Sequence, residues 1–201
     1  MSRLGIFGGT FDPPHVGHLI LASEAADQLH LDRVLWVLTP DPPHKRGQPI
    51  TPLAIRLEMV MAAIQDDPSF ELSRVEIDRP GPHYAVDTLR ILHDLYPEDR
   101  LIYLIGGDSL RDLPTWRQPL EFLKACDGLG VMRRPGDAVD LSYLEAVLPG
   151  LERKVMFVDA PLLEISSSQI RQRVAGGKAY RYYLPPQVYA LVEKYRLYRT
   201  T

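Results

Sequence analysis

Two histidines three residues apart, His15 and His18, stand at the end of the string Gly5-Ile6-Phe7-Gly8-Gly9-Thr10-Phe11-Asp12-Pro13-Pro14-His15-Val16-Gly17-His18. The apolar run Leu4 to Phe7 reads as a buried strand, and Gly8-Gly9 breaks it. Pro13-Pro14 holds the next residues extended, because each ring fixes its own φ and restricts the residue before it. From there Val16, Leu19, Ile20, Ser23, Ala26 and Leu29 recur at three- and four-residue steps, the spacing of one helix face. A helix N-terminus offers free N–H groups and the positive end of the macrodipole, so it suits an anion. Glycines just before it let a ligand approach the backbone. His15 and His18 point to one side of the first turn and can donate to phosphate oxygens. A plain strand–helix turn with two surface histidines does not explain why all these features occur together.

A second stretch has the same character. Ser166, Ser167 and Ser168 precede an apolar-periodic helix read over Ser168 to Val174, and Arg171 follows one turn in. Serines there serve as caps or, with the arginine, as an anion site. Four more clusters follow predicted strands. Thr39-Pro40-Asp41-Pro42-Pro43-His44-Lys45-Arg46 is either a solvated proline-rich loop or a clamp whose cations meet a phosphate. Arg79-Pro80-Gly81-Pro82-His83-Tyr84-Ala85 is a turn that feeds a helix, with Tyr84 at its start. Gly106-Gly107-Asp108-Ser109-Leu110 permits close approach, and Asp108 either accepts from a ribose hydroxyl or caps a helix. Arg133-Arg134 either reaches a phosphate or stands solvated before a turn. Trp116 offers a flat π-face, for packing or for stacking on an aromatic base.

The elements that must position these residues alternate along the chain. Strands are predicted at Leu4–Phe7, Arg33–Leu38, Phe70–Ile77, Leu101–Ile105, Leu129–Met132 and Lys154–Val158. Helices are predicted from Val16, on Leu53-Leu57-Val60-Ile64, on Ala85-Leu89-Leu92-Tyr96, over Ser168–Val174 and over Pro186–Tyr195. The continuous apolar run Leu101 to Ile105 marks a central strand covered on both faces. Strand–helix alternation at these lengths implies a doubly wound parallel α/β sheet, in which ligands bind beyond the strands' carboxyl ends.

Composition narrows the function. The chain has 201 residues, which suits one α/β domain with a sizeable core. Its net charge of -3 supplies no basic field for nucleic acid, so no nucleic-acid partner is expected. Cys126 is the only cysteine, which excludes an intrachain disulfide and a cysteine-rich zinc site. No apolar stretch approaches ~18 residues and no signal-peptide pattern opens the chain, so a cytoplasmic protein without a membrane partner is expected. Oligomeric state is left open, a homo-oligomer included.

The string GGTFDPPHVGH resembles the HxGH signature of the nucleotidyltransferase superfamily, and at its full length the bacterial nicotinate-nucleotide adenylyltransferases. ISSSQIR, with Ser168 in place of threonine, resembles the second superfamily signature, ISSTxIR. RPGPHYAVDTL is similar to RPGPSYTIDTL, with Ala85 where threonine is usual, and GGDSL to GxDSL. Asp41 stands where the family often has asparagine, in a shorter spacer. The resemblance extends to Tyr182-Tyr183-Leu184-Pro185-Pro186-Gln187-Val188. It implies a Rossmann-like nucleotidyltransferase fold in one domain, residues 1–201. The implied reaction joins nicotinate mononucleotide and ATP into nicotinate adenine dinucleotide and pyrophosphate. His15, His18 and Arg171 are then the catalytic residues. Gly8, Gly9, Thr10, Phe11, Gly106, Asp108, Ser166, Ser167 and Ser168 bind ATP. His44, Lys45 and Arg133 meet the mononucleotide phosphate, Tyr84 and Ala85 the nicotinate carboxylate, and Trp116 the nicotinate ring. Mg²⁺ rides on ATP oxygens and water, and no metal held by protein ligands is expected, since no carboxylate cluster offers a cage. Other HxGH enzymes, of the nicotinamide-mononucleotide or phosphopantetheine type, and a non-catalytic ATP sensor are the alternatives.

Overall fold

The computed structural model describes residues 1–42, 47, 49–133, 140–161 and 163–199. Strand β2 (Arg33–Leu38) shows why this chain builds a sheet covered on both faces. Val34, Trp36 and Leu38 point into one apolar cluster, and Leu35 and Val37 into another on the opposite face. Side chains alternate across a strand, so a strand apolar from Val34 through Leu38 must be covered twice. Each such buried side chain contributes roughly 1.5–3 kcal/mol relative to exposure.

Around β2 lie β1 (Arg3–Gly9), β3 (Phe70–Ser73), β4 (Arg100–Gly106), β5 (Gly128–Arg133) and β6 (Val155–Asp159). They form one parallel sheet in the order β3-β2-β1-β4-β5-β6. Two groups of helices cover it. Helices α1 (Val16–Gln28), α2 (Leu53–Ile64), α7 (Ser167–Ala175) and α8 (Pro186–Lys194) pack on the face of Trp36. Helices α3 (Ala85–Leu95), α4 (Gly107–Asp112), α5 (Pro119–Ala125) and α6 (Leu141–Val147) lie on the face of Leu35.

Two sequence expectations change, and three short helices are added to those predicted. β3 stops at Ser73 instead of Ile77. Arg74, where the alternation loses phase, donates to Asp78 at 2.6 Å and closes a turn. That turn turns Glu76 inward, where it is buried. On α1 the buried residues are Gly17, Ala22 and Ala25, and Ser23 is exposed, so the core stripe is rotated from the predicted one. The small Ala22 and Ala25 let the helix pack close to the sheet, a signal that apolar periodicity weights lightly. Finally, α4, α5 and α6 are only six or seven residues long, too short to show a period.

Candidate functional site

The chain leaves β1 toward β2 on one side of the sheet, while β4 pairs with β1 on the other. The loops after Gly9 and Gly106 therefore diverge and open a crevice at the switch point, the place where this topology binds ligands. Two cavities share its floor, formed by Phe7, Gly8, Gly106 and Met132 at the strand ends. The larger, about 700 Å³, reaches from Gly9 and Thr10 to Tyr84, Ala85, Trp116 and Arg117. The smaller, about 250 Å³, is walled by His15, His18, Asp108, Arg133 and Ile165. A Cβ on Gly106 would meet nothing within 4 Å, so the backbone between the cavities is open to a ligand.

His15 is the N-cap of α1 and His18 its third residue. Their rings stack with centroids 3.6 Å apart, tilted by 24°. Gly17 makes this possible: a Cβ there would lie 3.1 Å from His15 Nδ1. The His15 backbone N–H donates to His18 Nδ1 at 3.1 Å, so His18 carries its proton on Nε2. Burial lowers the His15 pKa from 6.5 to about 4, so its imidazole is neutral at physiological pH.

This has a consequence for stability. Between pH 6.5 and 4 the unfolded chain binds a proton at His15 that the native chain refuses. Stability therefore rises with pH through that window and falls on acidification, by up to about 3 kcal/mol at about 1.4 per pKa unit. Urea midpoints near pH 7 and near pH 4.5 check it: His15→Gln loses correspondingly less stability between the two. Equal losses in the two proteins would remove His15 from this account.

The serine–arginine stretch reaches the histidine loop directly. Ser167 Oγ donates to the Pro13 carbonyl at 2.8 Å, and Arg171 donates to the Asp12 carbonyl at 2.7 Å and to Ser168 Oγ at 3.2 Å. Ser166 Oγ caps α7 by accepting from Gln169 N–H at 3.1 Å. The two sequence signatures thus meet. The Asp12 carboxylate is itself anchored, accepting from Tyr198 Oη at 2.6 Å and from Thr51 N–H at 3.2 Å.

Arg56 was not foreseen. It is 1% exposed and donates to the carbonyls of Thr10, Thr39, Pro40 and Thr51 at 2.7–2.9 Å. One guanidinium thereby fixes the loops after β1 and β2 against each other. The signal was present: a lone cation four residues before Val60 on an apolar helix. Arg56→Met leaves buried carbonyls without donors and destabilises the fold by about 3 kcal/mol or more. Arg56→Lys does little better, since an ammonium cannot span four acceptors. A loss under about 1 kcal/mol in urea unfolding would contradict this.

The remaining expected residues divide. Gly8, Gly9, Thr10, Tyr84, Ala85 and Trp116 gather at the larger cavity. Tyr84 is the N-cap of α3 and makes no side-chain cap, so the N–H groups of Ala85 and Val86 have no intrahelical partner. Trp116 stands edge-on to Tyr103 and Phe122, with centroids 6.2 and 5.2 Å away. Phe11 lines neither cavity: 2% exposed, it packs between Trp36 and His18 in the core, because its backbone is left-handed at φ 45°. Arg133 lines the smaller cavity, apart from Tyr84 and Trp116, and is held by Asp159 at 2.8 Å and by the Phe157 ring. Its side follows from the pleat of β5, which neighbouring arginines do not reveal. Asp108 reaches the smaller cavity but pairs with Arg111 one turn on. His44, Lys45 and Arg134 lie outside the described residues.

The cytidylyltransferase-like family model matches residues 6–173. A protein of Thermomicrobium roseum described as a probable nicotinate-nucleotide adenylyltransferase is 48% identical, over all of this chain and 93% of that one. The nicotinate-nucleotide adenylyltransferase of Bacillus subtilis is 40% identical over the full length of both. The fold matches that of Plasmodium falciparum nicotinic acid mononucleotide adenylyltransferase complexed with NaAD, at a TM-score of 0.81, 20% identity and 98% coverage of each chain. The chain belongs to the cytidylyltransferase-like family and, within it, groups with the nicotinate-nucleotide adenylyltransferases.

Proposed function

We propose that this protein transfers the adenylyl group of ATP to nicotinate mononucleotide, giving nicotinate adenine dinucleotide and pyrophosphate in NAD biosynthesis. The observation that carries the reading is the pair of adjoining cavities at the switch point. One is walled by the stacked histidines, and the other by the α3 N-terminus and Trp116. The family membership supports it. In this reading residues 1–201 act as one cytoplasmic nucleotidyltransferase domain, with ATP and the mononucleotide as partners.

The mononucleotide's phosphate oxygen is already a nucleophile, so the reaction needs no general base. What remains is in-line alignment and stabilisation of charge on the α-phosphate and the departing pyrophosphate. His18 donates from Nε2 to the triphosphate, and His15 packs against it and keeps it aimed. Arg171 and the first-turn amides of α7 take the β,γ-phosphates. Gly8, Gly9, Thr10 and Gly106 let the nucleotide lie against the backbone. The amides of Ala85 and Val86 receive the nicotinate carboxylate, and Trp116 packs beside the ring. Mg²⁺ enters on the ATP oxygens, as part of that substrate.

Pyrophosphate release with ATP and Mg²⁺, compared for nicotinate mononucleotide, nicotinamide mononucleotide and phosphopantetheine, tests the reading. Preference for the acid is expected. Turnover of phosphopantetheine alone, or of none of the three, would overturn it.

A further inference from the structure

His83 and Glu76 are buried titratable residues that the reaction as proposed does not use. They are 7% and 5% exposed, and both line the larger cavity. Among the described residues, His83 Nδ1 and Glu76 Oε2 are buried atoms with no hydrogen-bond partner. The other carboxylate oxygen is satisfied: Arg79 donates to Thr88 Oγ1 at 3.1 Å, and that hydroxyl donates to Glu76 Oε1 at 2.6 Å. His83 immediately precedes Tyr84, the N-cap of α3. Its ring lies over Gly81, where a Cβ would come within 3.3 Å of Nε2. A buried polar atom without a partner is costly and rare in native proteins. The unpartnered imidazole nitrogen on this cavity wall, beside the first-turn helix amides, marks a place that a ligand's acceptor completes, and the Glu76 carboxylate, an acceptor only, acts on the charge of the imidazole.

We propose that His83 is a specificity-determining residue that reads the 3-substituent of the pyridine ring, donating to the nicotinate carboxylate beside the α3 amides while Glu76 supports the charge from behind. This rests on the functional reading above and deepens it, since it names what separates the acid from the amide.

The charges around the imidazole give the choice its sense. Burial is the dominant influence and holds the His83 pKa below its ordinary value, with Arg79 acting in the same direction. Glu76 and Asp41, from the turn after β3 and the loop after β2, act in the opposite direction. Arg117, over the Tyr84 ring, belongs to the same cavity wall. With no anion bound, the ring is therefore mostly neutral at physiological pH. A carboxylate arriving beside it favours the imidazolium. Binding of the acid then takes up a proton from solvent at His83, and binding of the neutral amide does not.

The test measures kcat and KM for both mononucleotides, with ATP and Mg²⁺, from about pH 6 to about pH 8.5, the range in which an imidazole titrates. His83→Ala lowers the acid-to-amide ratio of kcat/KM roughly tenfold, the scale of one hydrogen bond to a charged group, through KM for the acid. In the unmodified protein KM for the acid rises with pH more steeply than KM for the amide. His83→Asn keeps an N–H donor but cannot titrate, and it flattens that slope. A ratio within about twofold of the parent in both variants, with the pH dependence retained, would overturn the role of His83. Should both variants fail to fold, equal pH slopes for acid and amide in the unmodified protein overturn it. Failure of the unmodified protein to turn over either mononucleotide is a different result, which removes the functional reading and this assignment with it.

Discussion

Replacing His18 by alanine lowers kcat by roughly 10²–10³-fold, the scale of one lost preorganised donor. Several features aim this side chain. The His15 backbone N–H occupies its Nδ1, so the Nε2 proton is presented without a search among tautomers. The stack on His15 at 3.6 Å restricts its ring, and the Phe11 ring stands edge-on to it at 5.1 Å. In the proposed reaction a donor held this way is already oriented when charge develops on the α-phosphate, which is where its advantage over water would lie. The loss should therefore fall mainly on kcat, with a smaller change in KM for ATP. Steady-state kinetics with varied ATP separates the two. A kcat within about threefold of the parent would remove His18 from the transition state, and a loss confined to KM would make it a ground-state binding residue.

How much of this site was legible in the sequence depends on the range of the interactions. The glycine pair, the prolines and the two histidines are neighbours in the chain, and short-range rules suffice to place them at a helix start. The contact of Arg171 with Asp12, 159 positions apart, is not legible in the sequence, because no periodicity encodes a contact of that span; the resemblance assigns both stretches to ATP but not to each other. The pattern of α2 rests on Leu53, Leu57, Val60 and Ile64 and does not show that Arg56 is buried, since a buried guanidinium is stable only when acceptors from elsewhere in the chain, here four carbonyls, converge on it. The extension of β3 to Ile77 hides Glu76, since Val75 and Ile77 resume an apolar alternation, out of phase with Phe70 and Leu72, where the Arg74–Asp78 pair instead closes a turn. The motif places Phe11 at the ligand, whereas in the structure its ring is buried in the core on a left-handed backbone. The order of the strands is not encoded in their periodicity, since more than one doubly wound order obeys the crossover rules, and it is this order that makes β1 and β4 neighbours and opens the crevice beyond Gly9 and Gly106.

Arg171→Ala should reduce kcat/KM for ATP by roughly 10²–10³-fold, about 3–4 kcal/mol of transition-state stabilisation. The argument begins from its partners. The guanidinium donates to the Asp12 carbonyl and to the Ser168 hydroxyl, and neither is charged. Among the described residues no carboxylate forms an ion pair with it, unlike Arg133 with Asp159 or Arg111 with Asp108. The fold therefore keeps a cation at the junction of the two signature loops without neutralising it, which suits an anion that arrives and then leaves. Part of the loss on substitution would come from the loop, since Asp12 loses a donor. Arg171→Lys distinguishes the two contributions. Lysine keeps the charge but loses the fork that holds Asp12 and a phosphate together, so it should recover activity only partly. If the role were solely to hold the loop, the alanine variant would lose thermal stability in step with activity, and KM for both substrates would rise together. An activity loss on ATP with a melting temperature close to the parent's places the charge on the departing pyrophosphate.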